Sequence, residues 1–468
     1  MTDLQDSRTE KDSLGEVTIE KDKLWGSLSQ RSLQNFAIGN DRFPWQFIHD
    51  FALVKKAAAL ANNQLGVLAD DLTQLISSAC DAILQGQYDD QFPLSVWQTG
   101  SGTQTNMNLN EVIANLGNRE AGQPLGSRSP LHPNDHVNRS QSSNDVFPAV
   151  MHVTASRLVT SQLLPALQEL ADACDRKQEE FADKIKSGRT HMMDAIPVTL
   201  GQEFGAFNAQ LKDAAGRIES CLEGLSELAI GGTAVGTGLN TPANWAVTVV
   251  EKINQLGSFH FKPATNKFSQ LASHDALTSL HSQLNLLATV LMKIANDLRL
   301  MNSGPRCGLA EIRLPANEPG SSIMPGKVNP TQIEALTMVC ARVMGNNTAV
   351  SIANSQGQFQ LNVYKPLIIH AILESLTLLT DAMQSFTHQC VAGIQANDER
   401  LDYYTNRSLM LITALGPHVG YDAASKAAHY ALDNDVSLKQ AVTKLGLVSP
   451  EDYDKLVNPR KMLGRTKS

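Results

Sequence analysis

The segment LTSLHSQLNLLATVLMKIANDL, residues 277–298, decides how this chain must fold. Its apolar positions Leu277, Leu280, Leu284, Leu287, Leu291, Ile294 and Leu298 are spaced alternately by three and four residues. A mean spacing of 3.5 residues puts all of them on one stripe of an α-helix, whereas a strand would scatter them over both faces. Three heptads of this kind make the seam of a left-handed helix pack, which needs neighbours to cover it. Further helical windows run over about 149–186, 198–229 and 331–350, and Pro165 predicts a kink in the first. The glycine-rich segment 231–242 breaks the pattern and reads as an irregular loop. Near the end, Thr413-Ala414-Leu415-Gly416-Pro417-His418 carries a Gly-Pro pair that marks a break between helices. No period-two alternation persists and no internal repeat occurs, so the expected fold class is all-α.

Bulk properties narrow the function. With 468 residues the chain exceeds one compact core, and two or three domains are expected. No stretch of about 20 uninterrupted apolar residues suggests a membrane span. The polar, acidic start reads neither as a signal peptide nor as a transit peptide, and residues 1 to about 13 are expected to form a mobile tail. A cytoplasmic protein is therefore expected. Lys and Arg number 39 against 47 acids, a net charge of −8, which argues against nucleic acid as a partner. The six cysteines, Cys80, Cys174, Cys221, Cys307, Cys340 and Cys390, are scattered without a CxxC pair. That spacing suggests no zinc site and no iron–sulfur cluster, and fits buried free thiols in a reducing compartment.

Chemistry concentrates in Gly320-Ser321-Ser322-Ile323-Met324-Pro325-Gly326-Lys327-Val328-Asn329-Pro330. Two glycines and two prolines shape a loop, and the residues after it read as a helix with Asn329 as N-cap and Pro330 in its first position. A loop with hydroxyls and an ammonium that ends at a helix N-terminus is built to hold an anion. Because the global charge repels anions, attraction must come from such a local site.

This loop resembles the signature of the fumarase/aspartase superfamily, whose members eliminate a group β to a carboxylate to leave fumarate. The resemblance extends to residues 97–108 (WQTGSGTQTNMN), 132–145 (HPNDHVNRSQSSND), 188–191 (GRTH) and 231–240 (GGTAVGTGLN), in the family's order over most of the chain. The blocks are most similar to those of the metal-independent class II fumarases. The alternative within the superfamily is aspartate ammonia-lyase, which shares the serine loop but carries a different version of the first block. Argininosuccinate and adenylosuccinate lyases have larger substrates and different loop flanks. A non-catalytic relative is a reading from another class, and the intact set of motif residues argues against it.

The resemblance implies an all-α, three-domain fold whose central long-helix bundle is shared in a homotetramer, with each active site built from three chains. By the same analogy the domains are residues 1–141, 142–398 and 399–468. It implies reversible hydration of fumarate to L-malate without metal or organic cofactor, as in the tricarboxylic acid cycle. Such a reaction needs a base for a carbon-bound proton, an acid for departing hydroxide, and donors around a carboxylate that takes up carbanion charge. From the residues alone the base lies open between Ser321 and Ser322; the family pattern assigns it to Ser321 and substrate contact to Ser322. His191 would handle the water, paired with Glu334. Lys327, Asn329 and Thr190 would bind one carboxylate, and Ser101, Thr103, Ser142, Ser143 and Asn144 the other. His132, Asn134 and Asp135 match an accessory anion-binding segment, in which the asparagine and aspartate can cap a helix. Met192-Met193 departs from some relatives and reads as packing variation.

Overall fold

A computed structural model of the chain describes residues 7–464. It opens with an antiparallel hairpin, β1 (Ser7–Asp12) and β2 (Gly15–Glu20), paired from Ser7↔Glu20 to Asp12↔Gly15. The expected tail is therefore structured from Ser7 onward, and its first six residues lie outside the described ones. What the composition hides is a guanidinium: Arg8 bonds the Glu10 carboxylate and donates to the carbonyls of Glu20, Lys23 and Trp25, fixing the charged strand to the chain just beyond β2.

Helices then dominate. They run α1 (Ser27–Asn35), α2 (Trp45–Gln64), α3 (Asp70–Leu84), α4 (Thr103–Glu120), α5 (Ser143–Leu158) and α6 (Leu164–Glu180). A π-helical turn, Val159–Leu163, joins α5 to α6 and takes up the irregularity expected from Pro165. The hairpin β3 (Ile185–Thr190) and β4 (Met193–Thr199) leads into α7 (Leu200–Ser220), α8 (Leu222–Leu225), α9 (Trp245–Gly257), α10 (Lys267–Ala272) and α11 (Asp275–Met301). Next come α12 (Thr331–Asn354), α13 (Lys365–Gln389) and smaller helices to Met462. Strands among the described residues form only two-stranded pairs, in keeping with an all-α fold. Every seam position from Leu277 to Leu298 is fully buried on α11. The segment after Gly231 is irregular, as expected.

Two compact units emerge. One holds the chain up to Leu163 with Arg217–Leu286 and Arg342–Leu378; the other holds Leu164–Gly216, Leu287–Ala341 and Leu379 onward. This division does not follow boundaries near residues 141 and 398, because α7, α11, α12 and α13 each contribute residues to both units. In the first unit Phe43, Phe47, Phe51 and Phe147 stack with centroids 4.8–6.0 Å apart, locking α2 against α5. In the second, Phe181, Phe204 and Phe207 do the same for α6 and α7. Residues 409–462 close around their own apolar cluster of Leu415, Ala427, Ala441 and Val442. By length and composition α13 could cross a membrane, yet 61% of that window is buried, as in a core helix. Of the cysteines, Cys80, Cys174, Cys340 and Cys390 are buried, but Cys307 is exposed and Cys221 half-buried, so the reading of all six as buried thiols is corrected.

Candidate active site

Two glycines and two helix starts build the group of expected site residues in the first unit. Gly102, at φ +75°, precedes α4, and a Cβ there would lie 2.3 Å from the Phe147 ring. At Gly100 a Cβ would lie 1.3 Å from the Val363 carbonyl oxygen, so the turn around Ser101 exists only because both flanks lack side chains. The α5 start carries a capping box: Ser142 Oγ accepts from the Asn144 N–H at 3.2 Å, and Asp145 Oδ1 accepts from the Ser142 N–H at 2.9 Å. The two starts meet through hydroxyls. Ser101 Oγ lies 2.7 Å from Thr103 Oγ1, which lies 2.7 Å from Ser143 Oγ. Three hydroxyls linked by two bonds retain one free proton, available to an anion at two helix N-termini. Asn144 Nδ2 donates to the Ala234 carbonyl, and the N–H groups of Gly231 and Thr233 donate to Asp145 Oδ2, each at 2.9 Å. The 231–242 loop is thus tied to the α5 start. Asp145 is fully buried, and desolvation raises its pKa against the pull of those donors.

Sequence reasoning missed the cation in this unit. Lys55 on α2 is fully buried, and its Nζ donates to Asn138 Oδ1 and Gln141 Oε1, both at 3.0 Å. Burial lowers its pKa to about 7, opposed by the charge of Asp145. Its apolar helix context gave no motif; an uncompensated lysine among alanines was the only available signal.

The accessory segment differs in detail from expectation. Pro133–Val137 forms one π-helical turn, and its cap is the histidine: His132 Nδ1 accepts from the N–H groups of Asn134 and Asp135, both at 3.2 Å. Asn134 and Asp135 are therefore capped residues and not the caps, since the imidazole reaches further along the turn than their own short side chains. Asp135 Oδ2 also stands 3.3 Å from the same Nδ1. A nitrogen that accepts two N–H bonds cannot also donate, so we read this as proximity and not an ion pair. Asn134, Asp135, Asn138, Ser142 and Asn240 line a cavity of about 560 Å³.

The remaining expected residues lie in the other unit. Thr190 ends β3 and pairs with Met193, leaving His191 and Met192 as a two-residue hairpin turn with φ +56° and +62°. This type I′ geometry normally selects Asn-Gly; here it thrusts an imidazole into solvent on strained backbone. Met192 and Met193 are both exposed in the single chain and pack against nothing within it that would bury them. A bulge between Ser187 and Arg189 re-aims the strand, and Arg189 Nη1 meets the fully buried Glu311 Oε1 at 2.9 Å. Lys186 Nζ stands 3.1 Å from Glu311 Oε2, an ion-pair distance without hydrogen-bond alignment, and bonds Glu203 at 3.0 Å. Glu311 begins the segment that leads to the signature loop.

That loop is an exposed hairpin-like turn. The Ser321 N–H donates to the Lys327 carbonyl at 3.0 Å and the Lys327 N–H to the Met324 carbonyl at 3.1 Å. Gly320 takes φ +89°, and a Cβ on it would meet the Lys327 oxygen at 2.6 Å. Ser321 is half-buried, while Ser322, Lys327 and Asn329 are exposed. The first helical bond of α12 runs from Glu334 N–H to Pro330 carbonyl, so Pro330 takes the cap position and Asn329 precedes it, one residue from the expected register. Proline lacks only its N–H, so its carbonyl can begin the helix. Glu334 lies exposed in the first turn of α12. Among the described residues, no hydrogen bond or ion pair joins His191 to Glu334 or to the signature loop within the chain.

Comparison with known proteins decides the family. A family model described as lyase matches residues 15–345, and one described as fumarase C C-terminus matches residues 411–464. The chain is 55% identical over 459 residues to the class II fumarate hydratase of Thermosynechococcus vestitus, covering 98% of each. This chain belongs to the class II fumarate hydratase family. The family's member from Myxococcus xanthus is 54% identical over 457 residues, again covering 98% of each. The crystal structure of a class II fumarase from Schistosoma mansoni superposes with a TM-score of 0.95 at 43% identity, covering 98% of this chain and 99% of that one. A fumarate lyase:delta crystallin structure from Brucella melitensis gives 0.90 at 40% identity, covering 97% and 100%. The fumarase blocks read in the sequence therefore mark the right branch, and the ammonia-lyase alternative is not favoured.

Proposed function

We propose that the protein hydrates fumarate reversibly to L-malate, within the tricarboxylic acid cycle of the cytoplasm, as a metal-independent homotetramer. The observation that carries this reading is the hydroxyl chain Ser101–Thr103–Ser143 at two converging helix starts, a neutral donor set suited to a carboxylate. With Ser142 and Asn144 it holds one carboxylate. Lys327, Asn329, Thr190 and Ser322 hold the other, whose charge grows as the reaction proceeds. In the dehydration direction Ser321, as alkoxide, takes the proton from the carbon next to a carboxylate. The electron pair moves into that carboxylate as an aci-form, and hydroxide then leaves with a proton from His191. A proline-stiffened loop that offers backbone N–H groups near an ammonium favours the alkoxide. Hydration runs the same steps backward.

Glu334 pairs with His191 across chains in this scheme, orienting the imidazole and fixing its tautomer. Assembly is supported by apolar residues left exposed on long helices: Met338 at 68% and Ile352 at 58% on α12. His132, Asn134 and Asp135 shape an accessory site for anions beside the cavity and take no part in bond making. Of three sequential domains, 1–141, 142–398 and 399–468, the central one supplies the helical bundle for this assembly.

Fumarate incubated with the protein in deuterium oxide tests the reading by proton NMR. Malate carrying a single carbon-bound deuterium is expected. Formation of aspartate on adding ammonium, with no malate, would contradict it and favour the ammonia-lyase.

A further inference from the structure

Two of the hydroxyls proposed to receive the substrate carboxylate, Ser142 and Ser143, follow directly on a short segment that is wrapped around a buried lysine nitrogen. Asn138 Oδ1 collects three donors: Lys55 Nζ at 3.0 Å, Asn110 Nδ2 at 3.2 Å and Asn106 Nδ2 at 3.3 Å. With its oxygen so occupied, Asn138 turns its amide nitrogen to the Gln141 carbonyl at 3.3 Å. Gln141 in turn gives its oxygen to Lys55 and its nitrogen to the carbonyls of Val137 and Arg139, both at 3.1 Å. One ammonium thus sets the orientation of two amides, and the amides set the backbone from Val137 to Gln141. Ser142, Ser143 and Asn144 come directly after.

A structural staple alone does not require a charge here. Burying an ammonium is costly unless it is paired, and the atoms that Lys55 touches are neutral amide oxygens. Among the described residues no carboxylate bonds it, and Asp145, whose charge opposes the lowering of its pKa, is engaged by backbone N–H groups. An apolar residue with shorter amide partners would fill the same space at lower cost. What the lysine adds is rigid placement of the donor segment, because its one nitrogen donates to both amide oxygens at once.

We propose that Lys55 is a positioning residue for carboxylate binding, acting through Asn138 and Gln141 on the Ser142–Asn144 segment. It takes no part in proton transfer and never touches substrate. This rests on the hydratase reading, because it assigns the dicarboxylate as the ligand of that segment.

The test compares Lys55→Met and Asn138→Ala with the unmodified full-length protein, reading kcat and KM for L-malate and fumarate. Expected is a rise in KM of about tenfold for Lys55→Met and a smaller rise for Asn138→Ala, with kcat within about threefold in both. A scaffold role would lower the yield or melting temperature but leave KM of the folded enzyme unmoved, and that result in either variant overturns the proposal. Should Lys55→Met fail to fold, Asn138→Ala decides alone, because it keeps the buried ammonium. A fall in kcat with constant KM would overturn it too. Absence of L-malate turnover by the unmodified protein would overturn the hydratase reading and the proposal together, which separates the two failures.

Discussion

At the scale of single residues, the site depends on a few side chains and on positions where none can be tolerated. Ser321→Ala and His191→Asn should each lower turnover by about 10²–10⁴-fold with the oligomer intact, as read by steady-state assay and size-exclusion chromatography. Gly100→Ala should be far more damaging to the fold than to chemistry, since its Cβ would overlap the Val363 oxygen at 1.3 Å. A melting temperature lowered by the equivalent of about 3 kcal/mol or more is expected, and an unchanged one would refute the packing argument. Buried lysines give a pH signature. Lys55 and Lys365 have pKa values lowered to about 7 from 10.5, in both cases mainly by desolvation. Between those values the unfolded chain binds more protons than the folded one, so stability rises as pH is raised from about 7 towards 10. Denaturant titrations across that range should show the rise, and Lys55→Met should reduce it to the part that Lys365 contributes. The motif residues were legible in sequence because their types are rare together. Lys55 was not, because what makes it notable is burial, and its alanine-rich surroundings are too weak a signal to announce that.

At the scale of elements, periodicity was the reliable guide. The seven seam positions of α11 are buried because a 3.5-residue repeat admits one geometry. The hairpin that carries His191 was invisible by the same criterion. Its strands alternate poorly, and its turn uses His191-Met192 where glycine or asparagine would be read as a signal. Met192→Gly should therefore stabilise the protein by about 1 kcal/mol by relieving a left-handed residue, measured by thermal denaturation; destabilisation would show that Met192 is held by contacts in the assembly. Glu311→Ala should cost about 3–5 kcal/mol, because it strands Lys186 and Arg189 without their buried anion. Caps were legible only to within a residue: α12 starts from Pro330 and not Asn329, and the accessory turn is capped by His132. Such choices depend on side-chain reach, which spacing does not encode.

At the scale of the whole molecule, the expected site residues fall into two sets on two compact units, each built locally with care. Ser101, Thr103, Ser142, Ser143 and Asn144 belong to one; Thr190, His191, the signature loop and Glu334 belong to the other. His191, Lys327 and Glu334 are exposed in the single chain, and the proposed assembly, with its site completed between chains, would supply the dry, crowded setting that their proposed roles require. Fold class and family were readable because bundle seams and signature blocks are properties of contiguous sequence. Contact units were not, because helices of more than 20 residues run through both. The decisive experiment is the ultraviolet absorbance of fumarate on adding L-malate to chelator-treated protein, with Ser321→Ala and L-aspartate run in parallel. Absorbance should rise from L-malate with the unmodified protein alone. A rise only from L-aspartate, or an equal rise in Ser321→Ala, would contradict the proposed chemistry.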